Sequence, residues 1–168
     1  VQFTDDAPGE FSYKIVRPQR FKVGATAKNL AGFTISASAE AVQYSNGEVR
    51  FDGIGLSDLE RSINSTVSSN LNDVINLRGG IEYELNDSFT PRLGYGFFPS
   101  PQKGINSECQ FINGGSSAEL TKGLKFDLGM QYSFWDDQYQ LYSTATVSAV
   151  AQEDVTRLPV MAGIRMNV

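Results

Sequence analysis

The residues best suited to chemistry in this chain are charged side chains spaced two apart. They are Arg78, Glu82 and Glu84 in RGGIEYE, Arg92 in TPRLGYG, Lys125 and Asp127 in LKFDL, and Arg165 in GIRMN. Glu82 and Glu84 have the spacing of paired carboxylates, which could serve as general acid and base. Each cation, however, lies within a strand-like run, where residues two apart share a face. The better account is mutual neutralisation: Glu82, Glu84, Asp127 and Arg165 form a charge network with Arg78, Arg92 and Lys125 along one lined surface. Other catalytic arrangements are missing. The chain has no histidine, so Ser-His-Asp and Cys-His pairings are excluded, and no G-x-S-x-G elbow occurs. Cys109 is the single cysteine and the familiar zinc spacings are absent, so no metal and no cofactor is expected. Asp5-Asp6 and Asp136-Asp137 read as solvated acidic turns. Gly79-Gly80 and Gly94-x-Gly96 lie inside strands with no helix following, so they are not phosphate loops. The chain is not expected to be an enzyme.

The elements that must position these charges are strands. From Val74 to Leu85, Ile75, Leu77, Gly79, Ile81, Tyr83 and Leu85 share one face, and Asn76, Arg78, Gly80, Glu82 and Glu84 the other. After a short turn at Asn86-Asp87-Ser88, Phe89, Leu93, Tyr95 and Phe97 oppose Thr90, Arg92, Gly94 and Gly96. The same alternation runs through residues 20–29 and 33–44, which are joined by a turn at 30–32, and through 124–134, 139–149 and 158–168. Residues 135–138 read as a short turn, and 152–157 as a break. Residues 99–119 read as a long loop rich in proline and glycine. Phe11, Tyr13 and Ile15 predict a further short strand before Pro18, and Glu48 to Asp52 extends the hairpin above Ser45-Asn46-Gly47. Between them lies a short loop helix near 56–68. It opens on a capping box of Ser57 and Glu60 and carries one apolar stripe of Leu59, Ile63 and Val67.

At 168 residues the chain is expected to form a single domain, 1–168. A net charge of −5 and the absence of a Lys/Arg cluster argue against nucleic acid as a partner. No apolar run approaches the roughly 20 residues of a transmembrane helix, and barrel strands carry a far weaker hydropathy signal. No leader pattern follows Val1, so any secretory signal is expected to have been removed or to lie outside these residues.

Three features favour lipid over a soluble core behind the apolar face. That face is unbroken across seven strands, each about as long as a tilted strand needs to cross a bilayer. Short turns (30–32, 86–88, 135–138) alternate with longer connections (45–73, 99–119, 152–157), as in outer-membrane proteins. Aromatics gather at strand ends: Phe89, Phe134, Trp135 and Tyr139 beside short turns, and Tyr44, Phe97 and Phe98 beside long loops. The expected fold is therefore all-β, a transmembrane antiparallel β-barrel with 7–8 strands in this chain, and membrane lipids are the expected surroundings. Seven strands leave the count odd. Either residues 10 to 17 supply an eighth, or the chain is the C-terminal portion of a longer one whose earlier strands complete the wall; the second alternative is preferred.

Several stretches resemble the FadL-type outer-membrane transport proteins. FTISASAEAVQYSN (33–46) resembles their strand before a long loop, and Leu56 to Val67 sits where they carry a loop helix. Arg78-Gly79-Gly80-Ile81-Glu82-Tyr83 is similar to their R-x-G-x-E-Y strand, and Arg92 to Pro101 resembles their R-x-G-Y…P-S-P strand and loop entry. The resemblance covers residues 10–168. It implies a 14-stranded barrel in the outer membrane of a Gram-negative bacterium, of which this is the C-terminal half. The family's N-terminal hatch and its usual terminal aromatic are absent from these residues. The implied function is passive, ligand-gated uptake of hydrophobic compounds such as long-chain fatty acids or aromatic hydrocarbons. The ligand would meet Leu59, Ile63, Phe97, Phe98 and Phe111, and its polar head Arg78, Arg92 or Lys125. Two alternatives stay open: a non-transporting barrel of similar fold that acts as a structural or secretion-associated scaffold, and a soluble lipid-binding barrel. The missing N-terminal part of the barrel, or another protein chain, is the further partner expected.

Overall fold

The computed structural model describes residues 12–52, 56–86, 88–143 and 148–166. Asp5-Asp6, Phe11, Asp87 and Val168, all named above, lie outside them, as does the side chain of Tyr139. The described chain is almost entirely antiparallel β-structure with one short helix. No helix is long and apolar enough to cross a membrane, which says nothing of a β-barrel.

The main sheet contains β2 (Gln19–Leu30), β3 (Phe33–Gln43), β5 (Val74–Tyr83), β6 (Phe89–Phe98), β7 (Cys109–Thr121), β8 (Leu124–Ser143), β9 (Ser148–Arg157) and β10 (Val160–Met166). Its order is β10-β8-β7-β6-β5-β3-β2, with β9 also paired to β8. β9 and β10 lie end to end along the same long strand: β9 pairs with Ser133–Ser143 and β10 with Leu124–Met130. The step between them is at Leu158-Pro159, where proline has no N–H to give the ladder, and the Gln131 N–H donates to the Pro159 carbonyl at 3.0 Å. The eight strands thus make seven rows, and every row is antiparallel to its neighbour. No closed barrel forms among the described residues; β2 and β10 are the two edges.

The ladders fix which residues share a face. Val23 is opposite Ala39, which is opposite Leu77, which is opposite Phe97. Leu93 is opposite Gly114, then Met130, then Val160. Most apolar residues of all seven rows therefore lie on one face in register, with Phe98, Phe111 and Met161 on the other. Almost nothing covers them: among the described residues only Val42 and Val74 are buried apolar side chains, while Phe21 is 76%, Leu93 57%, Met130 51% and Ile164 70% exposed.

Several sequence expectations are corrected. β7 occupies the second half of the expected loop 99–119, because strand-forming Cys109 to Ile112 leads into small residues that pair with both β6 and β8. Residues 135–138 are not a turn. β8 runs straight through them, pairing Trp135 with Val155 and Asp136 with Asp154, and the expected break at 152–157 is part of β9. The tight turn lies instead at Lys122-Gly123, where Gly123 takes φ 84°. Phe134 and Trp135 therefore stand beside Gln110 and Cys109, towards the long-loop end. The short-turn end carries Phe33 stacked on Tyr83, with ring centroids 4.4 Å apart. The alternation of connection lengths holds only as far as β8, because the β8–β9 connection, at the long-loop end, takes just residues 144–147. Short turns at 31–32, 84–88 and 122–123 lie at one end, and residues 44–73 and 99–108 at the other.

At the long-loop end β1 (Ser12–Val16) pairs with β4 (Glu48–Asp52) in a separate two-stranded sheet, so β1 is not an eighth strand of the main sheet. Helix α1 (Ser57–Asn70) follows β4, longer by two residues than the expected end at 68. The capping box does not form: Leu56 is the N-cap and no side chain caps it. Glu60 instead accepts a hydrogen bond from the Phe51 N–H at 3.0 Å, and the Asn64 amide holds both the N–H and the carbonyl of Val49, at 2.8 and 3.0 Å. The helix thus covers the free edge of β4 with side-chain hydrogen bonds. A 3-10 turn at Tyr44–Asn46 and loop 99–108 complete this rim. They are tied by Ser45 to Asp73 (2.7 Å between side chains), the Asn72 N–H to the Pro101 carbonyl (2.7 Å), and the Lys103 ammonium to the Ser68 carbonyl (3.1 Å).

Candidate functional site

The polar face is where chemistry-bearing residues meet. Alternation aims them there and register places them at a common height, which yields two charge clusters separated by a belt of small residues. Towards the long-loop end, Glu40 lies between Arg20 (3.9 Å) and Arg78 (3.7 Å) and accepts a hydrogen bond from the Asn76 amide at 3.3 Å. The Arg78 guanidinium sits 4.7 Å from the Phe98 ring centroid, a cation–π distance. Phe98 meets Phe111 edge-on at 5.3 Å and 63°. Phe111 lies over Gly96, where a Cβ would strike its ring at 2.1 Å, so the missing side chain makes room for this aromatic pair. Nη1 of Arg78 is shielded from solvent and has no hydrogen-bond partner among the described residues.

Nearer the short turns, Arg92 pairs with Glu82 and stands 4.0 Å from Asp127. Asp127 also receives Arg165 at 2.8 Å and the hydroxyl of buried Ser117. Lys125 pairs with Glu119 at 3.8 Å. Between the two clusters run Ser36, Gly80, Gly94 and Asn113 in direct cross-strand succession, with Gly115 and Gly129 beside them. A trough of about 910 Å³ overlies this belt. Lys22, Arg78, Arg92, Asp127, Gln131 and Met161 line it, so it extends from one edge strand to the other.

The expected site residues divide accordingly. Arg78, Phe98 and Phe111 form one constellation; Arg92, Glu82, Asp127 and Arg165 form another; Lys125 stands below with Glu119. Phe97 belongs to the opposite, apolar face, where it faces Leu77. Its position in the alternation with Leu93 and Tyr95 already required this. Glu84 is exposed beyond the end of β5 and makes no ion pair among the described residues, so it is not part of the network. Leu59 and Ile63 are on α1, and neither lines the trough. Glu40, Asn76, Lys22, Asn113 and Ser117 belong to the polar face and were missed as site residues. The first three follow from the strand parity; Asn113 and Ser117 were hidden by treating β7 as loop.

A second depression of about 780 Å³ lies on the apolar side, with Ala25, Ala37, Ala39 and Gly79 as its floor and Val23, Leu77, Tyr95 and Phe97 around it. On that face Gln110 is polar, and its amide oxygen accepts the Tyr95 hydroxyl at 2.8 Å. A third pocket, about 610 Å³ and polar, lies between α1 and residues 45–48. No group of three or more carboxylate, cysteine or histidine residues suited to a metal ion occurs among the described residues.

Comparison with known proteins finds no match: no family model fits the chain, and no curated protein or solved structure is similar to it.

Proposed function

We propose that the sheet is part of the wall of an outer-membrane β-barrel, with its apolar face towards lipid and its polar face towards a lumen. One observation carries this: seven rows present apolar side chains in register on one face, and that face stays exposed. Burying about 50 Å² of each such side chain is worth on the order of 1 kcal/mol, so a face of this size is covered in the native setting. A bilayer covers it without a second sheet, and strands of 10 to 13 residues suit the thickness. Open edges in lipid are costly, so further strands close the wall.

The role proposed for the wall is passage of amphiphilic or hydrophobic compounds, the class suggested by the resemblance to FadL-type proteins. Arg78 on Phe98, beside Phe111, supports this. It offers an aromatic surface for an apolar body and an N–H without an acceptor for an anionic head. The unmet N–H is itself a cost of about 1–3 kcal/mol that an oxyanion acceptor removes.

Single cysteines introduced into a Cys109→Ser background test the orientation. At positions 77, 81 and 93 they should react only with bilayer-soluble thiol reagents, and at 76, 80 and 94 with water-soluble ones. The reverse pattern, or a monodisperse detergent-free monomer, sinks the membrane assignment. Arg78→Gln combined with Arg92→Gln should reduce uptake of a labelled long-chain carboxylate while sparing the corresponding alkane. Unchanged carboxylate uptake by an inserted variant removes these residues from the mechanism.

A further inference from the structure

Among the described residues, the cations of the polar face are matched by carboxylates except at the edges: Arg157 on β9, opposite Ser133, has no ion-pair partner, and β2 carries the larger surplus. Arg78, Arg92, Lys125 and Arg165 each have an acidic partner on their own or an adjoining row. Edge strand β2 differs. Lys22 stands directly opposite Glu40 in the ladder, yet Glu40 contacts Arg20 and Arg78 instead. One carboxylate thus serves a neighbourhood of three cations. Lys28, six residues further on and at the irregularity of the ladder between Ala27 and Leu30, has no ion-pair partner among the described residues either. In water this surplus costs little. In a wall with lipid behind it, charges interact through a lower effective dielectric, and an unmatched ammonium is much more expensive.

We infer that the edge of β2 is the docking site for a further transmembrane strand, antiparallel to it, which carries a carboxylate on the polar face opposite Lys22. The inference rests on the barrel-wall assignment above and names the chemistry of the missing neighbour. Cross-strand partners on one face interact directly and at offsets of two residues. The carboxylate therefore lies opposite Lys22 or two positions either side. A second one about six residues earlier in the partner strand would answer Lys28.

Two other occupants fit less well. β2 and β10 run in the same direction, since they are the first and the seventh of seven alternating rows, so β10 of this chain or of a second copy would pair parallel to β2. β2 of a second copy would pair antiparallel, but it would turn that copy's rim to the opposite end of the wall and set lysines against lysines. The same parity means that an antiparallel wall closes with an odd number of additional strands, making the total even.

Carbodiimide coupling in native membranes tests this, because it joins an amine to a carboxylate already in contact. In the protein as the cell makes it, mass spectrometry of the digest should find Lys22 linked to an Asp or Glu in a strand outside the described residues. Lys22→Gln should abolish that cross-link. Lys22→Glu should lower the melting temperature of the folded barrel by several degrees, and exchanging the identified carboxylate for lysine in the same variant should restore it. Coupling of Lys22 to Glu40 alone, to β10 or to a second copy, or no coupling at all, overturns the inference. The cysteine-accessibility pattern is read independently. If it shows lipid behind Leu77 and Leu93 while no such link forms, only the β2 neighbour is wrong; if it fails, the barrel-wall assignment itself falls.

Discussion

Val42 and Val74 face each other across the β3–β5 ladder and are the two apolar side chains that the described residues bury, at 1% and 7% exposure. They lie where the main sheet meets the rim, just below the Ser45–Asp73 clamp. A conventional core is thus reduced to one cross-strand pair at the junction of two structural levels. Val42→Ala removes two buried carbons, a loss of roughly 1.5 kcal/mol. Thermal unfolding in detergent should show this loss, whereas Val23→Ala on the exposed apolar face should change stability by less than half as much under the same conditions.

Gly114 and Gly115 are neighbours with opposite tolerance. A Cβ on Gly115 would meet the Leu128 carbonyl oxygen at 2.7 Å and the Gly129 Cα at 3.3 Å, both backbone atoms of the next strand. A Cβ on Gly114 would meet nothing within 4 Å. Gly115→Ala should therefore separate β7 from β8 locally and destabilise by about 1–3 kcal/mol, while Gly114→Ala stays within about 0.5 kcal/mol. Denaturant midpoints of the two variants check the contrast.

Asn64 fastens α1 to β4 with two hydrogen bonds to Val49. At about 1 kcal/mol each, their loss in Asn64→Ala should raise the open population of this helix about 30-fold. Amide hydrogen exchange over residues 48–70 should accelerate accordingly, with the main sheet unaffected. Glu60→Gln should do less, because a carboxamide oxygen still accepts from Phe51. Nearby, the hydrogen bond that Arg50 donates to Glu48 raises its guanidinium above its ordinary value.

The β8–β9 hairpin sets Asp136 against Asp154 and Asp137 against Glu153. Like charges directly opposite destabilise a strand pair, and opposite ones contribute about 0.2–1 kcal/mol. Asp154→Lys should therefore slow amide exchange at residues 135–138. Raising the salt concentration should slow it in the wild type and leave the variant little changed.

Much of this molecule could be read from alternation alone. β2, β3, β5 and β6 have strict apolar and polar faces, and their ends were located to within a few residues. Residues 109–121 were hidden because CQFINGGSSAELT has few large side chains on its apolar face, and the signal that marks a strand fades where glycine and serine do the packing. Residues 135–138 misled for the opposite reason. WDDQ is polar enough to resemble a turn, but a hairpin that continues beyond the apolar zone has no need of alternation. The site follows the same logic. Arg78, Arg92 and Asp127 were legible from parity, and Phe97 was assigned against it. The pairing of Arg78 with Phe98 and Phe111 depends on a third strand crossing at the height of Gly96, which spacing within one strand does not encode.

The order of rows across the sheet repeats the order of strands along the chain. Each row therefore finds its partner among residues just made or about to be made. Closing a connection of two to five residues costs less chain entropy than closing the 30-residue excursion between β3 and β5, so the hairpins β2–β3, β5–β6 and β7–β8 are favoured as the first units to form. Assembly then becomes a matter of zipping preformed pairs together, in the order in which the chain supplies them.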